Sequence, residues 1–334
     1  MCIRDSNKDI RWEKTTTVNV GVDFALFRHR LSGTIEYYNK YSVDLLAAIN
    51  GSPTQGFGYT TLMTNNGKMV NRGVEITLSG EIIRQKDFSW NASLLYAFNR
   101  NKVKHISVQP SLWDSRISMP TSYPMVGKPL YGIYAYKWAG LNENGDPQVY
   151  DAENNVTSGP ARDYHALVYC GTTVPIHNAS LTNVLRYKGF EFSAMLILDA
   201  GHKLRSSNIP SINMSNGRIT STAKGIVDRW TQPGDVTDVP RLLFSNDTEN
   251  FNTHRTELYR YSDLFVYDAS NIRLSNISLA YRVPAHWCKK ISLSGARLQF
   301  NVENVATFAF DSKANYDLGG KVKPNYVWGL YLNF

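Results

Sequence analysis

Glu36, Glu75 and Glu81 are the first residues in this sequence whose type and spacing suggest chemistry. Two carboxylates held on one face can serve as the acid and base of a glycoside hydrolase. The same glutamates also fit the polar face of strands that line a wet lumen, a reading that asks nothing more of the chain. Other reactive arrangements are missing from the sequence. The pairs Gly67-Lys68 and Gly127-Lys128 are followed by Met69 and Pro129, so neither makes a phosphate-binding loop. No G-x-S-x-G or H-E-x-x-H run occurs. The 7 histidines are dispersed, with no pair three or four apart. Cys2, Cys170 and Cys288 have no metal-ligand or redox spacing. We therefore expect no catalytic residue, no metal and no cofactor.

Aromatic side chains are the other candidates. Trp113, Tyr123, Trp138 and Trp230 fall between the patterned stretches, in what read as loops. An aromatic ring stacks on the apolar face of a sugar, so these four are candidate substrate contacts. Packing within the loops, or contact with a covering protein, explains them more simply. The formal net charge is +8, but Lys and Arg are scattered, with only pairs such as Lys289-Lys290. A nucleic-acid partner is not expected from such a distribution.

The elements that would position these residues are strands. In the stretch Asn325–Phe334, Tyr326, Trp328, Leu330, Leu332 and Phe334 share one parity. Successive strand side chains point to opposite faces, so this segment has one continuous apolar face. Val18 to Leu26 and Leu31 to Tyr38 alternate in the same way around a tight turn at His29-Arg30. So do Val74 to Ile82 and Phe88 to Asn99 around Arg84–Asp87, and Leu181 to Tyr187 and Phe190 to Leu198 around Lys188-Gly189. Further strands are expected near 265–283 and 296–305. Ile272 and Leu274 are out of phase with Ile277, Leu279 and Tyr281, which predicts a bulge.

Short turns alternate with long connections, at about Gly51–Gly67, Lys102–Pro175, His202–Ser262 and Thr307–Lys323. Outer-membrane barrels sort their loops this way, with short periplasmic turns and long outer loops. Mean hydropathy is only −0.32, and no run reaches the roughly 18 apolar residues of a transmembrane helix. Barrel strands are compatible with both facts. The pattern predicts an all-β fold, about nine to eleven antiparallel strands forming part of a transmembrane β-barrel, with long outer loops and short turns. A soluble all-β carbohydrate-binding module or glycosidase is the alternative, and it requires a second layer packed on the apolar face.

Several stretches, in order, resemble one family. They are IRWEKTTTVNVGVDF from Ile10, YYNKYSVDLL from Tyr37, NGKMVNRGVE from Asn66 and GKPLYGIYAYKWAGLN from Gly127. YKGF from Tyr187, RWTQPGD from Arg229, SNIRLSNISLAY from Ser270 and the terminal aromatic strand follow. Together they are similar to the C-terminal barrel portion of TonB-dependent outer-membrane transporters of the SusC/RagA type. The resemblance implies a full barrel of about 22 strands, filled by an N-terminal plug that this sequence lacks. It implies import of oligosaccharides or peptides across the bacterial outer membrane. The implied partners are the TonB complex, a SusD-like surface lipoprotein, the barrel-assembly machinery and outer-membrane lipid. A siderophore or vitamin receptor is the alternative within that class. For the terminal strand, Tyr326, Trp328, Leu330, Leu332 and Phe334, the resemblance implies a signal read by the barrel-assembly machinery. Residues 7–334 would form the barrel part. The polar leader Met1–Ser6, which does not continue the alternation, reads as a non-native addition.

Overall fold

A computed structural model describes residues 10–50, 61–106, 115–159, 163–214, 222–244, 253–290, 292–318 and 323–334. The leader Met1–Ser6 and Trp113 lie outside the described residues. Nine strands form one antiparallel sheet in strict chain order. They are β1 Lys14–Leu26, β2 Leu31–Asn50, β3 Thr61–Arg84, β4 Phe88–Ile106 and β5 His177–Tyr187. The remainder are β6 Phe190–Ala200, β7 Asn271–Arg282, β8 Gly295–Ala309 and β9 Asn325–Asn333.

The pairing register puts every apolar parity on the same face. One row runs Gly80, Ala92 and Asn183, and the next runs Gly33, Leu78, Leu94, Leu181 and Leu196. Across the other half, Phe192 lies opposite Leu279, Leu279 opposite Phe300 and Phe300 opposite Trp328. The Phe300 and Trp328 rings are 4.2 Å apart, centre to centre. This face is not covered: Val20 and Val22 are each 61% exposed, Leu330 61% and Trp328 77%. Among the described residues no second layer packs on it, as a soluble sandwich would require. A bilayer, which solvates apolar side chains, suits such a face. From Phe88 to Phe98 β4 carries it between two aromatic ends, matching the roughly 9–11 residues with which a tilted strand crosses a membrane. The outer strands β1 and β9 each keep one unpaired edge. In hydrocarbon those backbone groups need partners, so the sheet is part of a larger closed barrel.

The opposite face is polar. Thr34 donates to Asp23 at 2.6 Å, and Asn178 and Arg273 both donate to Asp199. Glu191 takes Arg186 at 2.7 Å and Arg297 at 3.1 Å. Glu36 lies directly opposite Glu75 on this face. Glu81 sits near the short-turn end, 3.4 Å from Arg84.

The bulge expected in β7 is present: Leu274 and Asn276 pair with Leu196 and Met195, which leaves Ser275 as the extra residue. Asn333 pairs with Gly295 at the short-turn end, as a descending last strand requires. Elsewhere the strands outrun their sequence signal. β2 and β3 continue to Asn50 and from Thr61, so Asn66, Gly67, Asn71 and Gly73 lie inside a strand and not in a turn. Gly73 serves packing: a Cβ there would collide with the Tyr38 ring and with the Phe98 carbonyl. Phase shifts conceal this extension from the alternation, since the β2–β3 register slips around Asp44, whose φ is 56°. β4 likewise runs on to Ile106, and β8 to Ala309. Phe265, expected at the start of β7, is instead buried in the loops, and β7 begins at Asn271.

Candidate functional site

The chain's packed core lies outside the nine-stranded sheet, in the two connections β4–β5 and β6–β7. Both leave from the end opposite the short turns. Residues expected to be irregular here make short strands and a helix. Gly132–Tyr136 pairs with Leu167–Thr172, and all five residues of the first are buried. Tyr134, Tyr136, Val149, Ala166, Leu167 and Leu258 form one cluster, and Ile212, Tyr259 and Phe265 another. Leu258 and Tyr259 come from the helix Thr253–Arg260. The Tyr259 ring stands edge-on to Phe265 at 4.9 Å.

Charged groups cross-link the two connections. Asp146 accepts a forked pair from Arg241, at 3.0 and 2.8 Å, and a further bond from Arg255 at 3.1 Å. Arg255 also donates to the Ile212 carbonyl, the Asn213 side chain at 2.6 Å and the Arg241 carbonyl at 2.7 Å. Its side chain is 3% exposed. Burial lowers its pKa, but the Asp146 carboxylate opposes that shift, and an arginine stays charged. Arg205 makes a second tie, donating to the carbonyls of Tyr134 at 2.7 Å, Arg260 and Ser262. Burial raises the Tyr259 phenol, with Asp238 adding to the shift, so the ring is neutral and serves packing. Burial, aided by Asp263, pushes the Cys170 thiol up to about 11, which keeps it protonated and unreactive at neutral pH.

Two of the sequence motifs meet in this assembly. Asn142 caps a turn, its side-chain oxygen accepting from the N–H groups of Asn144 and Asp146. Gly145 follows with φ 75°, and a Cβ there would collide with the Trp230 ring. Trp230 begins the turn that Asp235 closes, accepting from Thr231 N, Thr231 Oγ1 and Gln232 N at 2.8, 2.8 and 3.0 Å. The indole of Trp138 donates to Asp238 at 3.0 Å, and the Trp230 N–H donates to the Val239 carbonyl. Trp138 and Trp230 are thus brought to one short segment, both partly buried. Tyr123 lies apart from them, beside Arg116 and close in sequence to Met125, whose N–H donates to the Tyr134 hydroxyl. The outer-face residues Tyr326, Trp328, Leu330, Leu332 and Phe334 are all exposed, along the edge strand of the sheet. Arg205, and Arg241 and Arg255 with their partner Asp146, carry no local signal in the sequence.

One ribbon of the assembly is set to respond to pH. Lys203–Arg205 pairs with Val266–Asp268. Burial acts to raise the Asp268 carboxyl, but hydrogen bonds from Ser270 and Lys203 outweigh it and hold the group at about 2. Burial lowers the adjacent His202, against the pull of Asp199 and Asp268. Both shifts favour the folded state at higher pH. The His202 contribution is full above its ordinary value of about 6.5, and that of Asp268 above about 4. Each is lost as pH falls toward its lowered folded value. Amide exchange over 202–206 and 266–270 should therefore accelerate, beyond its intrinsic change, below about pH 6.5 and again below about pH 4. His202→Gln should remove the upper step alone; a single flat profile would contradict this assignment.

Comparison with known proteins agrees with this architecture. A family model described as TonB dependent receptor-like, beta-barrel, matches residues 2–305. TonB-dependent receptor P3 of Formosa agariphila is 25% identical over 347 residues, covering 97% of this chain and 33% of that protein. TonB-dependent receptor SusC of Bacteroides thetaiotaomicron is 25% identical over 312 residues, covering 89% and 29% respectively. The chain thus spans about a third of the length of these relatives. The structure of the RagAB peptide transporter superposes with a TM-score of 0.74 at 22% identity, over 97% of this chain and 36% of that one. With its aligned apolar face, ordered hairpins and family match over most of its length, the chain belongs to the TonB-dependent receptor β-barrel family, whose members reside in the bacterial outer membrane.

Proposed function

We propose that this chain is the C-terminal part of the barrel of an energised outer-membrane importer for oligosaccharides or peptides. The observation that carries the proposal is the joining of the two long connections into one packed assembly at the mouth end of a polar-lined wall. Such a roof gives a large solute a shaped entrance, while the polar face beneath it gives a wet path. The uncharged character of much of that face, with Asn, Ser and Thr between the acids and arginines, suits hydroxyl-rich or amide-rich cargo. Trp113, Tyr123, Trp138 and Trp230 are the proposed aromatic contacts, the last two through ring surface not used in the loop packing. A SusD-like surface lipoprotein would seat on the loop assembly, and the TonB complex would act through the plug. We also assign Tyr326, Trp328, Leu330, Leu332 and Phe334 to recognition by the barrel-assembly machinery.

Deletion of the gene in its native host tests this reading. Growth on one class, oligosaccharides or peptides, should be lost as sole nutrient and restored by the gene in trans. A tag on the protein should retain a surface lipoprotein from detergent extracts. Unchanged growth on both classes, with a defect only under iron or vitamin limitation, would refute the nutrient assignment and favour the alternative receptor class.

A further inference from the structure

We propose that the outer face of β3 and β4, just beyond the apolar band at the long-loop end, binds the phosphorylated headgroup of an outer-leaflet glycolipid. Arg72 and Arg100 are directly opposite each other on adjacent strands. They share the parity of Val74 and Phe98, with no register shift between, so they stand on the membrane side of the wall. Lys102 follows Arg100 on the same face. Two like charges opposed across strands destabilise a sheet unless something neutralises them. Among the described residues no carboxylate does so. The ion pairs among the described residues leave out Arg72, Arg100 and Lys102. Arg72 is steadied by a bond from Nε to Asn39 Oδ1 at 3.1 Å. The paired rows here are Val18, Asn39, Arg72, Arg100 and then Thr16, Tyr41, Val70, Lys102, with no carboxylate in either. Lys128 adds a further cation at the border, its ammonium 4.8 Å from the Tyr169 ring centre.

Depth selects the ligand. The Arg72–Arg100 row lies two residues, about 7 Å along the strands, beyond the row Tyr37, Val74, Phe98, His177. That lower row, with Tyr96 bonded to His177 at 2.9 Å, is the aromatic boundary of the apolar band. A cation one step above such a boundary stands among headgroups, where clustered Lys and Arg attract lipid phosphates. Both arginines are exposed and can present forked donors to a phosphate. The inference rests on the outward orientation of this face and on the membrane location, and not on the transported cargo.

Native mass spectrometry on the complete outer-membrane protein that carries this chain tests the proposal, with diphosphoryl lipid A as probe. Arg72→Gln/Arg100→Gln should weaken binding about 10- to 30-fold. Arg72→Lys/Arg100→Lys should retain most of it, because the charge remains. Dephosphorylated lipid A should bind no better to the wild type than to the Gln variant. Arg186→Gln, a charge removed from the polar face, should leave binding unchanged, and heat-shifted gel mobility reports whether each variant is folded. Equal binding by wild type and a folded Gln variant would overturn the proposal. So would equal binding of the phosphorylated and dephosphorylated lipids, or competition by inorganic phosphate as effective as that by the lipid.

Discussion

Leu94→Arg is expected to cost the barrel about 2–4 kcal/mol of folding stability, while Ser93→Arg costs about 0–1. The two positions are neighbours in β4 and differ in face. Leu94 is flanked by Leu78 and Leu181, midway between Trp90 and Phe98, at the centre of the apolar band. An arginine there has hydrocarbon around its charge and the longest reach to either headgroup layer. Ser93 lies between Ser79 and Thr182 on the polar face, its hydroxyl 3.4 Å from that of Ser79. A guanidinium at that position extends into water. The folded fraction of the complete protein in bilayers, followed by heat-modified gel mobility during urea titration, measures both. Equal losses, or a larger loss at Ser93, would reverse the assigned faces.

A loss of similar size, but confined to the loops, should follow Arg255→Ala. Arg255 is the hub at which Asp146, Ile212, Asn213 and Arg241 meet. Truncation strips donors from two carbonyls and leaves the Asn213 oxygen without its 2.6 Å bond. Removing one member of a buried charged network costs about 3–5 kcal/mol. Arg255→Lys should recover little, because a single ammonium cannot reach acceptors that a planar fork spans. The expected signature is rapid proteolysis and amide exchange in 132–150, 241–244 and 253–260 while the strand amides of β4 to β7 stay protected. Global barrel unfolding, or no change in the loops, would refute the hub. Arg241 still holds Asp146 in this variant, so the comparison with Asp146→Ala separates loss of the arginine from loss of the whole knot.

These two substitutions also divide what could be read in the sequence from what could not. The faces of the strands were legible because side-chain direction has a period of two, and a solvent boundary imprints that period on a short window. The short turns then pinned the register: Leu26 opposite Leu31 and Tyr187 opposite Phe190 carry the phase from strand to strand. Strand count, strand order and the bulge at Ser275 follow from such local marks. The extension of β2 and β3 was hidden where the register slips near Asp44, since each slip resets the period.

The site itself had no such mark. Arg241 meets Asp146 across 95 positions, Trp138 meets Asp238 across 100, and Arg255 meets Asp146 across 109. Residue types fixed by a partner so distant have no spacing to betray them. The sequence by itself determined a membrane wall with an apolar outside and a polar inside. Only the tertiary structure decided that its two longest connections close on each other, because burying Tyr134, Tyr136 and Tyr259 requires apolar surface from both.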